Sequence, residues 1–283
     1  MDNTPASADV KRLWPLGIFL LLSAASAWTA WLWPIDSRER LLLSVFGMEF
    51  KIPLLAVKLV IGNCLPGILA VIWALFEGRD QFRRMLSTLT KWRTRLRWYI
   101  VAVALPCSVF VVALNVVLFY FATGYLLPSP VGVLTTFLMT LPFGPLWEEL
   151  AWRAFALKRL EFRYSRLVSV LLLGVYWGVW HIPLWLVLQG STPINKIAFL
   201  STGIINTIAW SVIFAYLYHC SLESLPVVVV LHATHTAFQV QVLAVVPYLQ
   251  GELLTYVSVV LSVCLAVPFA RAMRRRGDTE VGE

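Results

Sequence analysis

Two adjacent glutamates, Glu148 and Glu149, and an arginine, Arg153, stand inside an otherwise apolar stretch of the chain. An ionisable group surrounded by hydrocarbon is costly to keep, so it faces the protein interior and marks a working site. Glu149 and Arg153 are four residues apart, share one helical face and can pair. Glu148 is turned about 100° from Glu149 and needs another partner. Neighbouring carboxylates resist ionising together, which makes one of them a candidate general base or acid. Histidine adds to the pattern. Of four histidines, His181, His232 and His235 lie in apolar segments, and His232, His235 and Thr236 can share one face. General acid–base catalysis by carboxylate and imidazole is the chemistry these types support. The alternative is a hydrogen-bond network tying helices together. Each such contact contributes only about 1 kcal/mol, and Ser or Thr would enter the bilayer more cheaply. The residues therefore favour a functional site.

The elements that must position these groups follow from composition. The chain has 283 residues, 59% of them hydrophobic and 13% charged, with a mean hydropathy of +0.77. This balance excludes a disordered chain and a soluble domain. It indicates a multi-pass protein of the cell membrane. A span needs about 20 apolar residues. Eight segments qualify: Leu13–Trp33, Ile52–Phe76, Tyr99–Phe121, Val131–Leu157, Leu167–Leu188, Ile197–Tyr218, Leu225–Val246 and Leu253–Ala272. Ser129-Pro130 and Ser224-Leu225-Pro226 read as starts of the fourth and seventh helices. The fold class is all-α, a polytopic helix bundle forming one membrane domain over residues 1–283. The first segment runs on past the cleavage-like Ala25-Ser26-Ala27 to Trp33, so it reads as a span and not a signal peptide. Cys64, Cys107, Cys220 and Cys264 lack ligand spacing and read as packing residues.

The formal net charge of +8 has a location. Seventeen of the 23 Lys and Arg fall at the N-terminus, over Arg79–Arg97, over Lys158–Arg166 and in the C-terminal tail. Arg38, Arg40, Lys51 and Lys196 fall on the other side. The positive-inside rule then makes both termini cytoplasmic. Basic residues at that boundary favour anionic lipids as partners, not nucleic acid. Gln81–Arg97 reads equally as an amphipathic surface helix or as a basic loop. Lys58, within a span, has no assigned role.

The residues resemble three motifs of the CPBP family of intramembrane proteases, also called the CAAX-protease and bacteriocin-processing (Abi) family. Its first motif, EExxxR, is matched in full by Glu148-Glu149-Leu150-Ala151-Trp152-Arg153. Its second, FxxxH, is matched by Trp177 to His181, with Trp in place of Phe and Ile182-Pro183 following. Its third, HxxxN, is matched at His232, with Thr236 in place of Asn. The resemblance covers residues 130–245, the expected protease core.

This resemblance implies an intramembrane endopeptidase whose Glu148 activates the attacking water. His181 and His232 complete the site, and the third-motif position helps stabilise the oxyanion. Glu149, Arg153 and Thr236 complete the candidate set. The substrate is a peptide or protein, lipidated or transmembrane. Two mechanisms stay open: a metal-free glutamate mechanism, and a divalent metal such as zinc held by Glu148, His181 and His232. Threonine offers one rotatable hydroxyl where asparagine offers a longer two-hydrogen donor. The alternative function is therefore a weak or inactive family member acting as a peptide-binding, immunity or scaffold protein. A transporter using the same charges is a third reading, disfavoured because the sequence has no strong internal repeat. Trp147, Trp152, Trp177, Trp180 and Trp185 either line a pocket or belong to packing and the interfacial belt.

Overall fold

The computed structural model describes residues 14–34, 39–45, 48–121, 128–189, 196–246 and 248–280. Lys11, Arg12 and Arg38 lie outside the described residues. The helices are α1 (Trp14–Leu32), α2 (Leu54–Phe76), α3 (Arg79–Ser87), α4 (Leu96–Tyr120), α5 (Pro130–Thr140), α6 (Pro145–Glu161), α7 (Arg166–Gln189), α8 (Lys196–Cys220), α9 (Leu225–Val245) and α10 (Tyr248–Glu280). Seven of them, all but α3, α5 and α6, are long and apolar enough to cross a membrane. Their outward faces expose large apolar side chains such as Phe76 and Phe119, the surface a bilayer covers. The fold is thus an all-α polytopic bundle, and the protein is a multi-pass membrane protein.

The fourth expected segment is not one straight helix. It breaks into α5 and α6, which meet at 52° across Leu141–Gly144. Pro142 and Pro145 lack backbone N–H groups and cannot continue a helical ladder. The chain turns instead, with Phe143 N–H donating to Thr140 O (3.0 Å) and Leu146 N–H to Leu141 O (3.1 Å). Beyond the break, Leu150–Leu157 is π-helical and every one of its residues is buried. Such wide turns are uncommon and are often found at functional sites.

Other departures are local. An antiparallel hairpin, β1 (Arg40–Val45) with β2 (Met48–Pro53), joins α1 to α2 where no strand was expected. The basic stretch after α2 is helical only over Arg79–Ser87, shorter than Gln81–Arg97. Ser129 caps α5 as expected, accepting from Gly132 N–H at 3.3 Å. Ser224 occupies the N-cap position of α9, yet its hydroxyl donates to Lys91 O at 2.6 Å and ties α9 to the basic loop. Lys58 reaches outward to donate to Trp33 O at the end of α1 (3.2 Å), which accounts for a cation within a span. No disulfide joins the four cysteines.

Two interfaces place α7 in the bundle. Trp28 of α1 donates to Trp180 O (2.9 Å), and Tyr176 donates to Leu20 O (2.8 Å). On the other side α7 lies against α8 through small residues, as membrane helices commonly do. A Cβ at Gly178 would stand 2.6 Å from Thr207 Oγ1 and 3.0 Å from Ile204 Cα, so only glycine permits that approach.

Candidate functional site

Glu148 and Glu149 leave the first turns of α6 on different faces, and the two carboxylates find different partners. Glu149, wholly buried, accepts from Arg153 Nη1 at 3.0 Å and from His232 Nδ1 of α9 at 2.7 Å. The expected i,i+4 pair therefore forms across the start of the π-helical segment. Glu148 accepts from Trp177 Nε1 of α7 at 2.9 Å, with Trp152 Nε1 at 3.5 Å. Both hydrogen bonds converge on Oε2.

The arginine is held as much by rings as by charge. Its guanidinium carbon lies 5.2 Å from the centroid of Trp177 and 4.7 Å from that of Phe214. A guanidinium is weakly hydrated and stacks on aromatic faces, which partly offsets the loss of water. Among the described residues, Arg153 Nε, Arg153 Nη2 and Glu149 Oε2 have no hydrogen-bond partner. The pair is consequently a costly arrangement held by burial on all sides.

Each motif histidine commits one ring nitrogen to the protein. His181 Nδ1 is 2.9 Å from Trp177 O, an atom that can only accept, so Nδ1 carries the proton. His232 Nδ1 faces the Glu149 carboxylate and donates likewise. In both rings Nε2 is left for a reacting group. The rings stand 5.4 Å (His181) and 5.5 Å (His232) from the Trp177 ring. Trp177 is thus the hub: Glu148, Arg153, His181 and His232 all touch it.

Thr236 lies one turn beyond His232, half-buried, and its hydroxyl makes no hydrogen bond among the described residues. His235 is not part of the hub. Its ring packs on Trp210 (4.3 Å), Phe110 (5.2 Å) and Phe214 (6.5 Å), and its Nε2 has no partner. The five tryptophans near the motifs divide: Trp152, Trp177 and Trp180 are buried, while Trp147 and Trp185 are half-buried. Trp185 stacks on His181 with 12° between ring planes.

The zinc alternative required Glu148, His181 and His232 to meet. All three lie against the indole of Trp177, and among the described residues no three His, Cys, Asp or Glu side chains form a group that could hold a metal ion.

Sequence reading missed two contributions. Trp177 stood in the place of a phenylalanine and read as a pocket-lining or packing residue. Its indole N–H is the nearest donor to Glu148, which a phenylalanine cannot supply. Phe214 of α8 carried no signal, because its role depends on a contact between helices far apart in the chain. Trp152 was detectable, since it follows Glu148 by four residues.

Residues 128–238 match the family model described as type II CAAX prenyl endopeptidase Rce1-like. The matched range contains all three motifs. A 38-residue stretch is 45% identical to the CAAX prenyl protease 2 of Methanococcus maripaludis. That alignment covers 13% of this chain and 14% of the relative.

Proposed function

We propose that this membrane protein, whose residues 128–238 are of the Rce1-like type, is an intramembrane endopeptidase in which Glu148 is the base. The observation that carries this reading is the convergence of Glu148, Arg153, His181 and His232 on the single indole of Trp177. One carboxylate is paired with a cation, and the other is held only by neutral N–H donors. The second is the one free to accept a proton.

The reaction is hydrolysis. Glu148 takes a proton from a water molecule as the water oxygen bonds to the peptide carbonyl carbon. The carbonyl electron pair moves onto oxygen. When the tetrahedral intermediate collapses, the C–N bond breaks and the leaving amine takes the proton from Glu148. His181 and His232 present Nε2 to the reacting groups. Glu149 holds His232 in the required tautomer, much as a buried carboxylate orients a catalytic histidine elsewhere. Arg153 pairs with Glu149 and fixes its carboxylate in place. The matching family model is described as a CAAX prenyl endopeptidase, and on that support we assign this chain a prenylated peptide or protein presented at the membrane boundary. Both termini are placed on the cytoplasmic side, on the support of the basic loops, where anionic lipids meet them.

The test is cleavage of a farnesylated peptide library by purified protein in detergent, with and without a chelator. Glu148→Gln keeps the shape and removes the base. It is expected to lower kcat by about 10²–10⁴-fold, with wild-type thermal stability. Equal turnover by the two proteins rejects this mechanism. Loss to chelator, restored by zinc, rejects its metal-free form. Thr236 favours a second reading, a peptide-binding protein without turnover. Binding that survives Glu148→Gln while no product forms in either protein would establish it.

A further inference from the structure

Hydrolysis needs a hydrogen-bond donor where negative charge develops on the carbonyl oxygen, and such a donor is a large part of the rate. Thr236 supplies only a short hydroxyl for that task. An amide stands elsewhere in the site. Asn63 lies on α2, a helix that carries none of the three motifs. Its Oδ1 is buried without a hydrogen-bond partner. A buried amide oxygen without a partner in a bilayer interior is a cost that packing alone does not explain.

Three contacts locate it. Asn63 precedes Gly67 by one helical turn and shares its face. A Cβ on Gly67 would stand 2.4 Å from Trp147 O, so α2 touches the backbone of α6 directly beside Glu148. One turn outward, Asn63 Nδ2 lies 3.6 Å from where a Cβ on Gly144 would be. Gly144 O accepts from Glu148 N–H (2.9 Å), and side chains on a helix lean back toward its N-terminus. The Glu148 carboxyl therefore leans toward the turn that Asn63 covers. On its other side Gly62, the preceding residue, meets the indole of Trp31, whose ring lies 6.4 Å from that of His181 at 20°. Asn63 thus stands against the α5–α6 break beside the helix of the base, one residue from the contact between Gly62 and the indole that neighbours His181.

We propose that Asn63 Nδ2 donates to the oxyanion of the tetrahedral intermediate and supplies the amide that position 236 lacks. The inference rests on the endopeptidase reading above. In the described interior Asn206 of α8 also has an unpartnered Oδ1. Its turn of helix leads to Trp210 and not to the helix of Glu148, which makes it the internal control.

The test is steady-state cleavage of the farnesylated peptide library by purified full-length protein. Asn63→Ala removes the donor, and Asn63→Leu removes it while filling the same space. Both are expected to lower kcat about 10²-fold with KM changed less than about twofold and the thermal midpoint preserved. Thr236→Asn added to Asn63→Leu is expected to restore kcat at least about tenfold, a rescue that a packing role would not produce. Asn206→Ala is expected to leave kcat within about twofold. Should Asn63→Ala fail to fold, Asn63→Leu decides. Wild-type kcat in Asn63→Leu overturns the inference. So does a Thr236→Asn substitution that leaves the Asn63→Leu protein unchanged. Wild-type turnover that Glu148→Gln does not alter overturns the endopeptidase mechanism, and this inference with it.

Discussion

Glu149–Arg153 and Glu223–Lys158 are both carboxylate–cation contacts, at 3.0 Å and 2.5 Å respectively, yet they sit in opposite surroundings. The first pair has side chains 0% and 1% exposed in the membrane-embedded site. The second has side chains 36% and 32% exposed at the basic end of the bundle, where Lys91 also approaches Glu223 at 3.4 Å. Neighbouring contacts at that end include Glu77 with Arg159 and His219 with Glu161. The shorter contact is the weaker one. At the basic end water and ions screen each charge, and a pair contributes about 0–1 kcal/mol. In the site nothing screens it, so losing one partner strands the other. The basic-end pairs hold loops in place. Leu222 and Glu223, at φ +61° and +60°, occupy left-handed backbone that their ion pairs and Lys91 help to hold. The buried pair instead links α6 to His232 of α9.

The comparison can be broken most directly at Arg153. Arg153→Met leaves Glu149 charged and buried with only His232 beside it. It is expected to destabilise the protein by about 3–5 kcal/mol, read as a drop in thermal midpoint. The double variant Glu149→Gln/Arg153→Met should recover most of that loss. A single variant as stable as wild type would show that the site is better solvated than its burial implies.

A smaller effect separates the two carboxylates within the site. Trp177→Phe keeps a ring beside Arg153, His181 and His232 but removes the N–H that holds Glu148. A hydrogen bond to a charged group contributes about 1.5–3 kcal/mol, so kcat should fall about 10–100-fold with little change in melting. Unchanged kcat would mean that Trp177 serves only as a wall.

The smallest effect belongs to the basic end. Burial raises the Glu223 carboxyl, but hydrogen bonding and attraction from Lys158, with Lys91 adding to them, outweigh it and hold the group below its ordinary value of 4.5. A carboxyl depressed on folding stabilises the protein above its unfolded pKa, and that contribution disappears as pH falls through the folded value. Glu223→Gln should therefore cost less than about 1 kcal/mol at neutral pH once solvent screening is allowed for. The difference from wild type should shrink at high salt and vanish in acid below the ordinary carboxylate range. A difference indifferent to salt and pH would move Glu223 out of the screened class.

Much of this was legible from residue order. Long apolar runs identified the spans because a bilayer demands them, and the i,i+4 spacing of Glu149 and Arg153 predicted their pairing. The α5–α6 break was written in Pro142 and Pro145, although the segment reads as continuous by hydropathy. The hairpin Arg40–Pro53 was not anticipated, and the basic helix stops at Ser87 instead of running to Arg97. Apolar periodicity distinguishes poorly among such short polar connections.

The sequence by itself determined that this is a multi-pass helical membrane protein with its buried glutamates, arginine and motif histidines on α6, α7 and α9. The cost of putting charge into lipid leaves little freedom in that respect. Only the tertiary structure decided which carboxylate is paired with the cation and which is held by indoles. Trp177 lies 29 residues from Glu148 and His232 lies 83 from Glu149. Contacts at such separations are set by how helices pack against one another, a property that no local spacing encodes.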